Sequence, residues 1–360
     1  MHPILESAEN AILAGEPGRA VSLVGEAIRD DAPLLPTLHL TARACAQVLR
    51  QTGILGEGYT RGTTPPRLMS ESDAGSATRF LVESLQQALY ALAGHGESQA
   101  RRDVFELADA LMDLDYVREP TSSASPSGLV ISLLCCERLP LLECTIGDLL
   151  RSEIPPADIV FFEDASVDRR ILQHLMNVES GKHRIHIIAN RGFSTRSWPA
   201  NQNAVLAFIE HRLGGFDNFV TCDTDLALAP DWWTAIRKME RDLAPRMLEE
   251  GRLGVLSGFH SESSHPALRT IEVGEARYRI KESIGGCHIV VPRAVYQKAL
   301  GPLDHLSDWG WSSRLRAAGM YVAATSPSRV QHLGEESLLF HPEVDRAHDF
   351  DAAPQGEKSA

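Results

Sequence analysis

The chain has 360 residues, 43% hydrophobic and 23% charged, with a formal net charge of −13. That is room for two domains and a large core in an ordinary soluble protein. The acidic balance argues against a nucleic-acid binder, whose phosphate contacts need clustered Lys and Arg. It still admits a nucleotide ligand, because a metal ion can meet the phosphates.

Residues 1 to about 115 read as almost wholly helical. Ala8, Ala11 and Ile12, then Ala20, Val21, Leu23, Val24, Ala27 and Ile28, recur at helical spacing. Gly15-Glu16-Pro17-Gly18 separates the two helices, and Asp30-Asp31-Ala32-Pro33 stops the second. One such pair resembles a tetratricopeptide unit, but no second copy follows, and a solenoid needs about three. Further helices are expected at 38–49, 80–92 and 104–111, with a long Gly/Thr/Pro/Ser loop over 53–73. The helices carry no catalytic spacing and suit packing, acceptor docking or a homo-oligomer contact. Thr121 to Gly128 reads as a linker.

From Leu129 the period changes. Apolar runs of strand length at 129–136, 159–162, 184–189 and 219–222 alternate with helical stretches at 139–150, 171–176 and 201–209. The alternation implies an α/β fold with a mostly parallel, Rossmann-like sheet. Such sheets bind ligands at the C-terminal ends of their strands, where the acidic clusters of this chain fall. No G-x-G-x-x-G or P-loop follows the first strand, which argues against a dehydrogenase or NTPase.

Six cysteines, Cys45, Cys135, Cys136, Cys144, Cys222 and Cys287, form no C-x-x-C pair, and three fall in apolar runs. Free buried thiols and a reducing compartment are the expectation. Residues 1–6 lack a basic region and an apolar region, and no apolar run approaches the ~20 residues that cross a bilayer. A cytoplasmic protein with at most peripheral membrane contact is expected.

The stretch Phe219-Val220-Thr221-Cys222-Asp223-Thr224-Asp225-Leu226 delivers two carboxylates spaced i, i+2 at a strand end. On a continuing strand they share one face; a turn between them would part them. Paired carboxylates repel, a divalent cation relieves the repulsion, and hard oxygen ligands suit Mg2+ or Mn2+.

With these motifs, residues 129–334 resemble the GT-A-fold, family 2-type glycosyltransferases. Glu137-Arg138 resembles the family's Asn-Arg turn after its opening strand, Glu163-Asp164-Ala165-Ser166 its Asp-Asp-Gly-Ser, and Asn190-Arg191-Gly192 its Asn-x-Gly. Asp223-Thr224-Asp225 resembles its metal-binding Asp-x-Asp, Gly285-Gly286 its glycine pair, and Gly301-Pro302-Leu303-Asp304 its Gly-Pro-(Phe/Leu)-Asp. Ser307-Asp308-Trp309 with Arg314-Leu315-Arg316 and Gly319 resembles its Glu-Asp segment with Arg-Leu-Arg, and Val330-Gln331-His332 its late histidine. The resemblance implies a GT-A domain over 129–340; with the spacing and composition read above, this leaves a helical domain over 1–118, a linker over 119–128 and a polar tail over 341–360.

It further implies an inverting transfer of a sugar from a nucleotide-diphosphate donor, a UDP-sugar first, to a hydroxyl of a glycan, protein or lipid-linked saccharide. Glu137, Asp164, Arg196, Asp223 and Gly286 would bind the donor. Asp223, Asp225 and His332 would hold Mn2+ or Mg2+, and Asp308 would act as base. Two departures stand out: Ser307 replaces the family's Glu, and 193–203 departs from its Ala-Arg-Asn, with Arg196 standing in for that arginine.

The residue chemistry agrees with this reading. A departing diphosphate gains negative charge that a cation stabilises, and an attacking hydroxyl must lose its proton. Each residue also has a plainer use. Asp164 and Asp308 could cap helices, His332 could be structural, and Trp232, Trp233, Trp309 and Trp311 could be core instead of sugar platforms. Two other functions stay open: a nucleotidyltransferase on a similar sheet, and a degenerate binding module that acts through its helices.

Overall fold

A computed structural model describes residues 2–30, 40, 44, 112, 114–118, 127–135, 138–166, 168–191, 197–250, 252–261, 265–334 and 346–352. The helices expected at 38–49, 80–92 and 104–111, and the loop at 53–73, lie outside these residues or touch them only at isolated positions. The chain divides into two compact units, Met1–Asp113 with Arg191–Ala200 and Leu114–Asn190 with Asn201–Ala360.

In the first unit, α1 (Pro3–Leu13) buries Leu5, Ala8, Ala11 and Ile12, and α2 (Pro17–Arg29) buries Ala20, Val24 and Ala27. Each helix has proline in its first turn, where its missing N–H costs nothing. Gly15, at φ +75°, supplies the left-handed residue that turns the chain between them.

The second unit is built on a ten-stranded sheet. In chain order its strands are β1 (Leu114–Arg118), β2 (Leu129–Cys135), β3 (Asp158–Glu163), β4 (Arg184–Asn190), β5 (Asn218–Cys222), β7 (Arg252–Ser257), β8 (Arg269–Val273), β9 (Ala276–Lys281), β10 (His288–Pro292) and β11 (Met320–Ser326). Short β6 (Leu226–Leu228) and β12 (Val330–His332) pair with each other as a separate two-stranded sheet. The unit's longer α-helices are α3 (Leu139–Arg151), α4 (Arg170–Asn177), α5 (Trp198–Phe208, of which Asn201 onward belongs to this unit), α6 (Trp232–Glu250) and α7 (Ser307–Ala317).

The centre of the large sheet runs β4-β3-β2-β5, all parallel. These strands are covered on both faces, so they are continuous apolar runs: every residue of β3 is buried, as are all but one of β2 and of β4. One buried polar group in β2, the Ser132 hydroxyl, is satisfied by Gln202 Oε1 at 3.0 Å and the Val220 carbonyl at 3.2 Å. Beyond β5 the order is β10-β7-β11-β9-β8, antiparallel except for the parallel β7–β11 pair. The parallel nucleus expected from the βα alternation is therefore present, extended by antiparallel strands.

Two stretches differ from the sequence expectation. The helical domain was expected to run to residue 118, but Leu114–Arg118 is a strand that pairs antiparallel with β4. Five residues are too few for a periodicity to declare itself, and Tyr116 is anchored by its hydroxyl 3.0 Å from His186 Nδ1. Within the expected polar tail, residues 346–352 lie against the sheet. Ala347 is buried and exchanges two hydrogen bonds with the Gln331 side chain, and the Asp349 carboxylate accepts from the backbone and hydroxyl of Ser328.

Register aligns the strand ends. Cys135 lies opposite Glu163, Glu163 opposite Ala189, and Leu133 opposite Cys222. Because β10 runs antiparallel to β5 with His288 opposite Cys222, its start brings Gly285, Gly286 and Cys287 to the same end. The parallel β7–β11 pair also ends there, and β11 leads into β12.

Candidate active site

At this end of the sheet β5 stops at Cys222, and a turn carries Asp223, Thr224 and Asp225 into β6. A turn does begin between the two carboxylates, yet it does not part them. The Asp223 N–H donates to the Cys287 carbonyl at 2.9 Å. The β6 backbone is held by α3: the Leu226 N–H donates to the Thr145 hydroxyl and that of Leu228 to Asp148 Oδ2. The β6–β12 ladder puts His332 opposite Leu226, and the Leu333 N–H donates to the Asp225 carbonyl at 2.7 Å.

This ladder sets His332 Nε2 3.2 Å from Asp225 Oδ1. Asp223, Asp225 and His332 each offer one ligand atom, and these lie within 4.8 Å of one another; no other such cluster occurs among the described residues. Ligands sharing a small dication sit roughly 3–4 Å apart at bond lengths of about 2.1 Å, so small side-chain rotations would close the set around an ion. Two carboxylates and an imidazole are a donor set that suits Mn2+ or Mg2+. Burial alone would raise the Asp225 carboxyl, but the bond to His332 and the guanidinium of Arg138 outweigh it and hold it below the ordinary value. The nearby thiols are disfavoured as thiolates. Burial, reinforced by the charges of Asp223 and Asp225, pushes Cys222 and Cys287 upward, so both stay protonated.

Arg138, placed by its sequence in the turn after the first strand but given no site role there, is a site residue. It precedes α3 in a left-handed conformation, φ 54°, and its Nη1 donates to Asp225 Oδ2 at 2.8 Å. No local pattern reveals a contact across 87 residues. Its neighbour Glu137 and the expected diphosphate contact Arg196 both lie outside the described residues.

Asp164 follows β3 and is 1% exposed. Its Oδ1 accepts from Asn190 Nδ2 at 3.0 Å and its Oδ2 from Asn201 Nδ2 at 3.1 Å. The carboxylate thus ties β3, β4 and α5 together. Ala165, at φ 47°, stands where the resembled motif has glycine. An alanine there costs on the order of 1 kcal/mol.

Asp308 is the second residue of α7, after Ser307, which holds φ 60°. The loop before it is tightly clamped. Asn203 bonds both backbone groups of Leu303, Arg314 donates to the carbonyls of Leu300 and Pro302, and Arg314 Nη2 lies 2.6 Å from Asp304 Oδ2. The Gly-Pro-Leu-Asp and Arg-Leu-Arg segments are thereby two sides of one clamp. Asp308 itself is half-buried. Burial first, and the charge of Asp223 second, push its carboxyl up to about 6, although the backbone N–H groups of Trp309 and Gly286 donate to it. Gly286 serves twice, since its carbonyl accepts from the Thr221 hydroxyl at 3.2 Å.

The tryptophans divide. Trp232, Trp233 and Trp311 are buried core, whereas Trp309 is 48% exposed beside Asp308. His288 is also core. It is wedged edge-on against Trp232, and burial depresses its pKa to about 3.

No family model matches this chain, and no curated protein does. Solved structures show partial likeness. The mannosyltransferase PcManGT from Pyrobaculum calidifontis, in complex with GDP-Man and Mn2+, is 14% identical with a TM-score of 0.39, over 67% of this chain and 65% of that one. S. aureus TarS 1-349 is 11% identical with a TM-score of 0.36, over 55% of this chain and 58% of that one. A second TarS structure is also 11% identical, with a TM-score of 0.35, over 54% of this chain and 34% of that one. The match spans less than two thirds of each of these proteins. Likeness at this level says nothing of donor or acceptor. Among the described residues, no helix is long and apolar enough to cross a membrane.

Proposed function

We propose that the chain is a metal-dependent, inverting glycosyltransferase of the GT-A, family 2 type. It would move a sugar from a nucleotide-diphosphate donor, a UDP-sugar first, to an acceptor hydroxyl. The observation that carries this reading is the convergence of Asp223, Asp225 and His332, with Asp308 close enough to Asp223 for that charge to raise its pKa. An idle binding module has no use for carboxylates gathered at such electrostatic cost.

In this reading Asp223, Asp225 and His332 hold the dication, which when bound supplies Lewis-acid stabilisation of the leaving diphosphate. Arg138 fixes the Asp225 carboxylate and adds positive charge on the donor side. Asp308, oriented by the Gly286 and Trp309 N–H groups, takes the acceptor proton at a carboxylate oxygen as the hydroxyl attacks. Attack from the side of the base, opposite the leaving diphosphate, inverts the anomeric carbon. Asp164, Glu137 and Arg196 are proposed donor contacts.

Calorimetric titration with a panel of UDP- and GDP-sugars, in Mn2+ and in EDTA, tests the proposal beside Asp225→Ala. Metal-dependent binding that vanishes in the variant is expected. Binding of no nucleotide under any condition would overturn the catalytic reading.

A further inference from the structure

Trp309 stands apart from the other tryptophans. Among the described residues the exposed large hydrophobic side chains are Leu13, Leu114, Met176, Leu268 and Trp309, and only Trp309 is aromatic. It adjoins Asp308 in sequence, and its backbone N–H donates to Asp308 Oδ1 at 3.0 Å. Its ring rests against that of His265, with centroids 5.1 Å apart and planes tilted by 36°. His265 is itself buried. Its Nδ1 lies 2.9 Å from the Ser283 hydroxyl, and a Cβ on Gly285 would come within 3.4 Å of its Cδ2. A Cβ at Gly285 would sit in ordinary van der Waals contact with the imidazole that backs the indole.

A lone exposed aromatic is ordinary on a protein surface, so what surrounds it must decide. This one has a fixed backing, a fixed backbone, and a carboxylate one residue away. Core packing does not explain it, because Trp311, two residues on, already fills the core and donates its Nε1–H to the Gly301 carbonyl at 3.1 Å. The apolar C–H face of a pyranose matches an indole face in size, and the electron-rich ring attracts its C–H groups. A sugar stacked there would lie in the neighbourhood of Asp308, whose carboxylate accepts from the Trp309 N–H. A polypeptide or an acyl chain has no comparable flat face with hydroxyls at its rim.

Building on the transferase reading, we propose that Trp309, backed by His265, is the acceptor platform and that the acceptor group is a pyranose saccharide. Trp309 is a binding residue here, and His265 with Ser283 and Gly285 are positioning residues.

The test uses the full chain labelled with 5-fluorotryptophan, with the Trp309 resonance assigned by Trp309→Phe. It is titrated with methyl glycosides, both anomers, of glucose, galactose, mannose, xylose and N-acetylglucosamine. A saturable shift of the Trp309 signal by at least one glycoside is expected, with the buried tryptophan signals unmoved. His265→Ala should weaken that binding several-fold while circular dichroism and donor affinity stay unchanged. In a transfer assay with the glycoside that binds, Trp309→Ala should raise acceptor KM about tenfold or more, leave donor binding alone, and be partly rescued by Trp309→Phe. No shift with any glycoside, or an acceptor KM indifferent to Trp309→Ala, would overturn the platform. If the donor titration fails while the Trp309 signal still moves, the transferase reading falls and a saccharide-binding surface stands.

Discussion

Replacing Asp308 by asparagine should make the protein more stable and less active at once. The carboxyl sits at about 6 against an ordinary 3.8. Roughly two pKa units correspond to about 3 kcal/mol between the two protonation states. The folded pKa is raised, so the folded state holds this proton more tightly than the unfolded chain does. Asp308 therefore contributes its stability fully below the unfolded value near 4 and loses it as pH rises through about 6. At about pH 7.5 the wild type carries the whole penalty of an ionised, half-buried carboxylate, and near pH 4.5 it carries roughly a third of it. Asparagine removes the charge and keeps an oxygen to accept from Trp309 and Gly286. Urea melts of both proteins in EDTA should give Asp308→Asn an advantage of on the order of 2–3 kcal/mol at the higher pH, shrinking by about 2 kcal/mol at the lower. Sugar transfer should be lost while donor binding persists. An advantage that is the same at both pH values, or a variant less stable at pH 7.5, would refute the assignment of strain to this carboxylate.

Two further substitutions probe the scaffold around the site. Ala165→Gly relieves a left-handed alanine at φ 47° and should raise the urea midpoint by the equivalent of about 0.5–1 kcal/mol, with m unchanged. Arg329 is fully buried, its Nε donating to Asp231 Oδ1 at 3.0 Å and its Nη1 to the Asp351 carbonyl at 2.7 Å. Arg329→Met strands the Asp231 carboxylate and should cost roughly 3–5 kcal/mol, part of which Asp231→Asn in the same chain should recover; a loss below about 1 kcal/mol would mean the pair is dispensable.

The sheet was legible because β2, β3, β4 and β5 are buried on both faces, so burial itself writes an unbroken apolar run into each. What escaped were elements whose identity depends on partners distant in sequence. β6 and β12, three residues each, have no periodicity of their own and exist through one another and through Thr145 and Asp148 of α3. Leu114–Arg118 is strand only because β4 offers it an edge. Asp223, Asp225 and His332 could be gathered from motifs, but the reason they meet is ladder register, which no motif states. The Glu137-Arg138 turn was visible as a motif, but that Arg138 reaches Asp225 was not, nor was the difference in exposure between Trp309 and Trp311. Residues two apart on a helix point some 200° apart, and only the finished fold decides which side is interior.

The way this site is assembled has a consequence for the order in which the molecule can be made. Asp225 draws its partners from Arg138, 87 residues before it, and from His332 in a strand whose neighbour Arg329 is anchored on Asp231, 98 residues earlier. During synthesis the parallel nucleus can form while Asp223 and Asp225 still lack the imidazole, and the ribosome must release β12 before the proposed ligand set is complete. Contacts this distant in sequence are slow to find. Regain of metal-dependent nucleotide binding should therefore lag behind regain of secondary structure during refolding, which would make the site a late-reporting probe of whether this chain has finished folding.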